Sequence, residues 1–117
     1  MKEQLSQKIE EYILDCCEYQ ESLHSVLRGL FEESLFTDIR ELVKTFMKLY
    51  NKGYIKIEFA SEMPIKELIK ITNFKEGDLM DYIKENKKDN FEKWPRKEYY
   101  IETTKAGIEY YEKNYSD

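Results

Sequence analysis

The sequence predicts a mostly helical α+β domain: three N-terminal helices, a small antiparallel β-hairpin carrying a helical insertion, and a C-terminal helix. Three observations predict it. Residues 37–59, TDIRELVKTFMKLYNKGYIKIEF, read as an amphipathic helix, a glycine stop and an alternating strand. Apolar residues recur at helical spacing twice before that stretch. A second strand pattern at about 98–103 runs straight into a threonine and a further helical pattern.

In chain order, Leu5, Ile9, Tyr12, Ile13 and Cys16 mark one face of a first helix, about residues 2 to 18. Its opposite face carries Lys2, Glu3, Glu10, Glu11 and Glu18 and is largely acidic. Ser22 is placed to N-cap a second helix with Leu23, Val26, Leu27 and Leu30 on its stripe. Gly29 lies inside that helix, costs it up to about 1 kcal/mol against alanine, and permits a close neighbour. Thr37 is the expected cap of the third helix, whose stripe is Ile39, Leu42, Val43, Phe46, Leu49 and Tyr50. Gly53 then suits a left-handed position that ends the helix. After it, Tyr54, Lys56 and Glu58 face one way and Ile55, Ile57 and Phe59 the other.

Residues 60–94 form the insertion within a single domain spanning 1–117. Pro64 suits a first helical turn, with Ile65, Leu68, Ile69 and Thr72 at helical spacing and Asn73 as a left-handed breaker. Leu79, Tyr82 and Ile83 mark another short helix ending near Asn86. KENKKDNFEKWPRK, residues 84–97, is the one clearly basic stretch, and Pro95 excludes a continuous helix through it. Alternation in the strand that follows is blurred by Tyr99-Tyr100-Ile101, which fits a strand covered on both faces. Thr104 caps the last helix, with Ile108, Tyr111 and Tyr115 on its stripe.

Helix, Asn-Lys-Gly-Tyr-Ile and strand at 51–55 resemble the third helix and first wing strand of a winged-helix domain. Tyr100 to Gly107, YIETTKAG, is similar to the aromatic-x-x-Leu-Thr-x-x-Gly segment that closes many bacterial winged-helix regulators of the MarR and PadR kind. Thr103 stands where that pattern usually has leucine, which removes one core contact. The resemblance covers roughly residues 1–59 and 97–115, and it makes the insertion part of the wing.

Composition bounds the function. A hydrophobic fraction of 41% and a charged fraction of 37% suit a globular protein with a heavily charged surface. No apolar run approaches the roughly 20 residues of a membrane helix, so no membrane partner is expected. The polar, acidic start is unlike a signal peptide, and the adjacent Cys16 and Cys17 form no disulfide framework, so a cytoplasmic protein is expected. The net charge of −5 weighs against a protein that coats nucleic acid without regard to sequence.

Catalytic chemistry finds no support. His24 is the only histidine, and its helical neighbours Ser22 and Ser25 point elsewhere. The cysteines lack metal-ligand spacing, and the four glycines are scattered, so neither a metal site, a phosphate loop nor a cofactor is expected. Binding is better supported. Arg40, Lys44, Lys48 and Asn51 share one face of the third helix, at spacings of four, four and three. Arginine to guanine and asparagine to adenine are common base-edge contacts, and lysine serves phosphates. Lys84, Lys87, Lys88, Lys93, Arg96 and Lys97 of the basic stretch are the matching wing candidates, with Phe91 and Trp94 among them. The same aromatics also suit a charged loop anchored to the core. Sequence-specific DNA binding of the transcription-regulator type, as a homodimer through the terminal helices, is therefore one expectation. The other is a non-DNA module, an adaptor or an immunity or antitoxin-like protein partner that uses the acidic first helix and some of the ten tyrosines.

Overall fold

The computed structural model describes residues 2–60, 69–88, 91 and 98–115. The order of elements is α1 (Lys2–Cys16), β1 (Glu21–Ser22), α2 (Leu23–Glu32), α3 (Ile39–Asn51), β2 (Ile55–Ala60), β3 (Ile69–Ile71), α4 (Glu76–Lys87), β4 (Glu98–Thr103) and α5 (Lys105–Tyr115). The strands form one antiparallel sheet in the order β1-β4-β2-β3. Thus the strands flanking the insertion pair with each other, as their patterns predicted.

The helical stripes form the core. Ile9 and Ile13 of α1, Leu23, Leu27 and Leu30 of α2, and Leu42, Phe46 and Leu49 of α3 are all completely buried. On the sheet, Ile57 lies opposite Ile101, and both are fully buried against these helices. The outer face is polar: Lys56 sits across from Glu102 with Nζ 3.3 Å from the carboxylate. An antiparallel sheet with one packed and one solvated face needs only this alternation. The expected cover on both faces of β4 reaches only its first residue, Glu98, which is buried; Tyr100 and Glu102 are partly open.

Caps set the helix boundaries. The Ser22 hydroxyl accepts from the Ser25 amide at 3.1 Å, the predicted cap of α2. The cap of α3 is Asp38, not Thr37: its Oδ1 accepts from the Glu41 amide at 3.2 Å. A carboxylate there satisfies the orphan amide and also favours the positive end of the helix dipole. Gly53 has φ of 77°, the left-handed stop the sequence predicted.

This stop is tied to the last helix. Thr104 donates its hydroxyl to the Gly53 carbonyl at 2.6 Å and accepts from the Gly107 amide at 3.1 Å. The Thr104 amide donates to the Tyr54 carbonyl at 2.9 Å. A Cβ on Gly107 would run into that same carbonyl oxygen, so only glycine lets α5 approach so closely. One residue earlier, Thr103 is buried; its hydroxyl donates to the Leu14 carbonyl at 2.9 Å and its amide to the Cys17 carbonyl at 2.7 Å. These are carbonyls that the end of α1 leaves without helical partners. Leucine in that position would add apolar contact but leave the Leu14 carbonyl without this donor.

The insertion departs from the sequence reading. Ile69, Lys70 and Ile71 are strand β3, paired with Phe59, Glu58 and Ile57, where a helix through Thr72 was expected. Two isoleucines around a lysine serve either period, and the open edge of β2 decides between them. Asn73 follows a strand and its φ is not positive, so it breaks no helix. The other residues of that predicted helix, Pro64, Ile65 and Leu68, lie outside the described residues. α4 forms as expected, with Leu79, Tyr82 and Ile83 buried. Its first turn is closed by Asp78, which accepts from the Lys75 amide at 2.9 Å.

Candidate nucleic-acid interface

The buried stripe of α3 leaves its other side to solvent. Arg40, Lys44, Lys48 and Asn51 are all exposed, as their shared face predicted. Three like charges at successive i,i+4 positions repel by a few tenths of a kcal/mol per pair, and an anionic surface along the helix would relieve that. Lys48 is already partly relieved: its Nζ lies 3.6 Å from Glu10 Oε1 of α1. Arg40 and Lys44 make no ion pair among the described residues.

Of the basic stretch, Lys84, Lys87 and Lys88 stand exposed at the C-terminal end of α4. Lys93, Arg96, Lys97 and Trp94 lie outside the described residues. Lys88 pairs with Glu85 at 3.4 Å with both side chains about three-quarters exposed, a contact worth little. Lys87 holds its ammonium 5.5 Å from the ring centroid of Phe36, two residues before the Asp38 cap. The basic end of α4 and the first turn of α3, which carries Arg40, are therefore neighbours. Phe91 anchors this arrangement: it is fully buried, 5.5 Å from Phe36 and 6.3 Å from the ring of His24. Its φ of 61° is unusual for a non-glycine residue, and its burial offsets that cost. Of the two readings of the interleaved aromatics, anchoring is the one that holds for Phe91.

Three other groups have chemical interest. His24 is buried in α2, edge-on to Phe91. Cys17 is buried with its sulfur 3.7 Å from that of Cys16; the hydrogen bond to Cys16 and burial both push its thiol pKa up, so it is inert. Among the described carboxylic acids, Glu98 is the one with a clearly shifted pKa. Burial pushes its pKa up to about 7, against the opposing effect of hydrogen bonds from the Tyr82 hydroxyl and the backbone amides of Tyr99 and His24. Among the described residues no group of three or more His, Cys, Asp or Glu side chains could hold a metal ion, and no helix is long and apolar enough to cross a membrane.

Glu10, expected on the acidic face of the first helix away from its apolar stripe, is instead buried, at 4% exposed. α1 packs on α3 along one side and on α5 along another, so its buried arc is wider than one stripe. The fully or nearly buried Leu14 and Cys17, four and seven residues after Glu10, carry the signal for that wider arc. Tyr110 and Tyr115 of α5 both donate their hydroxyls to Glu10 Oε2, the former at 3.0 Å. Burial and the adjacent carboxylate raise both phenols, Tyr110 to about 12, so both remain donors at neutral pH.

Comparison of the chain with protein-family models, with curated proteins and with solved structures finds no match.

Proposed function

We propose that the chain is a winged-helix protein of the cytoplasm that binds DNA by sequence, with α3 in the major groove and the basic end of α4 on the adjoining backbone. The observation that carries this reading is the exposed row of Arg40, Lys44, Lys48 and Asn51 on a helix whose opposite side is wholly committed to the core. The α2–α3 pair followed by antiparallel β2 and β4 supports the fold assignment. Nearness of Lys87 to the turn before α3 supports a joint surface. A homodimer would use the outer sides of α1 and α5, which already pack together within one chain.

A second reading, a module that binds a protein and no DNA, is favoured by two observations. One of the row's cations, Lys48, is committed to Glu10. Glu11 and Asp15 remain exposed on α1 and Glu18 just after it, and the chain carries a net charge of −5. Titration of labelled genomic fragments at two salt concentrations separates the readings. DNA binding predicts saturable, sequence-dependent binding that Arg40→Ala relaxes by about 1–3 kcal/mol at one base position. Lys44→Ala should then shallow the salt slope by about one unit. Absence of saturable binding at low salt removes the regulator. In that case reversing Glu11 and Glu18 should slow association with a basic partner.

A further inference from the structure

A groove of about 640 Å³ opens between α1, α3 and α5, with Glu10 and Tyr110 on its wall and Lys48 at its rim. Its size falls within the range of small-molecule sites rather than of flat protein interfaces. The charge at its wall is incompletely answered. Glu10 is 4% exposed, and its Oε2 takes both tyrosine hydroxyls. Its Oε1 accepts no hydrogen bond among the described residues. Among the described residues the cation paired with it is Lys48, whose Nζ stands at 3.6 Å, beyond hydrogen-bond reach, on a side chain 46% exposed; Lys8 also lines the groove but makes no ion pair with Glu10. A buried carboxylate oxygen without a donor is costly. A water would supply a donor but no charge. Tyr110 and Tyr115 add aromatic surface that attracts a cation more than a neutral or anionic group.

The geometry points to a binding site for a small organic cation, an alkylammonium or guanidinium head that donates to Glu10 Oε1 and takes the place of Lys48 as its counter-ion. Lys48 is then a competitor for the site and not part of it. That makes an inverted prediction, because removing a cation from the rim should tighten binding of a cation.

The probe is n-butylammonium, with n-butyrate as the anionic control, titrated into the full chain and followed by amide chemical shifts. Wild type should show saturable shifts in α1 and α5 with n-butylammonium and none with n-butyrate. Lys48→Met should bind n-butylammonium several-fold tighter. Glu10→Gln, whose amide oxygen can still accept from Tyr110 and Tyr115, should lose about tenfold, the worth of one charge-assisted hydrogen bond. Lys48→Met changes an exposed side chain and keeps the test decisive should Glu10→Gln fail to fold. Linear, unsaturable shifts, weaker binding in Lys48→Met, or preference for n-butyrate would each overturn the proposal. The test uses no DNA, so its failure and that of the regulator reading are separate.

Discussion

The frame (α1, β1, α2, α3, β2, β4, α5) and the insertion (β3, α4 and Phe91) are held by different means. The frame is joined by interlocking aliphatic stripes, with Ile9, Ile13, Leu27, Leu42 and Leu49 fully buried among one another. The insertion is joined to it by the β2–β3 ladder, by Leu79 and Ile83 buried in the shared core, and by aromatic rings and a few side-chain hydrogen bonds. Phe74 lies 6.0 Å from Phe46, 5.9 Å from Tyr50 and 5.2 Å from Tyr99. The Tyr50 hydroxyl donates to the Ile71 carbonyl and accepts from the Phe74 amide, each at 3.1 Å. The Tyr82 hydroxyl donates to Glu98 at 2.7 Å. The aliphatic part of this joint is smaller than that within the frame, so the insertion should open locally at lower cost than the frame.

Phe46→Ala should do most damage, because Phe46 is fully buried in the frame and also meets Phe74. A loss of about 3–5 kcal/mol is expected by chemical denaturation. A melting point within a degree or two of wild type would show that this stripe does not hold the frame.

Glu98 tests the joint by pH. Its folded pKa of about 7 lies above the ordinary value of 4.5. Below 4.5 it is protonated in both states, and its contribution is complete. Between 4.5 and 7 the unfolded chain ionises first, so stability falls as pH rises, by at most about 3 kcal/mol. Glu98→Gln should flatten that segment of the stability curve. An unchanged slope in the variant would assign the pH dependence elsewhere.

Tyr50→Phe removes two hydrogen bonds and keeps the ring, at a cost of about 1–2 kcal/mol. The sharper readout is hydrogen exchange. Amides of β3 and α4 should lose protection while those of α1, α3 and β4 keep theirs. Equal loss in both regions would mean that the frame and the insertion open as one unit.

Lys88→Ala should change stability by less than about 0.5 kcal/mol. A larger loss would give the Lys88–Glu85 pair a structural role that its exposure argues against.

The same comparison explains what could be read from the residues alone. In the frame, Ser22 and Thr104 cap the helices that follow them and Gly53 makes a left-handed turn, so their roles are visible in the residue type. β3 was invisible because three residues gain strand geometry only from the edge of β2. The exposed row on α3 followed from helical period. What period could not supply was the fate of single polar residues. Glu10 meets tyrosines 100 and 105 positions away, and Glu98 meets Tyr82 only once α4 has docked.

The position of β4 has a consequence for synthesis. It lies between β1 and β2, yet 37 residues, 61 to 97, separate it from β2 along the chain. At about 5–20 residues per second a ribosome needs roughly 2–7 s to make that interval. Throughout it, β1 has no partner, β2 can pair only through the edge that β3 takes, and the Leu14 carbonyl lacks Thr103. The nascent chain must therefore carry the apolar sides of α1, α2 and α3 with no central strand to close them. Force-profile measurements on stalled chains should register a pull only after residue 103 has cleared the exit tunnel.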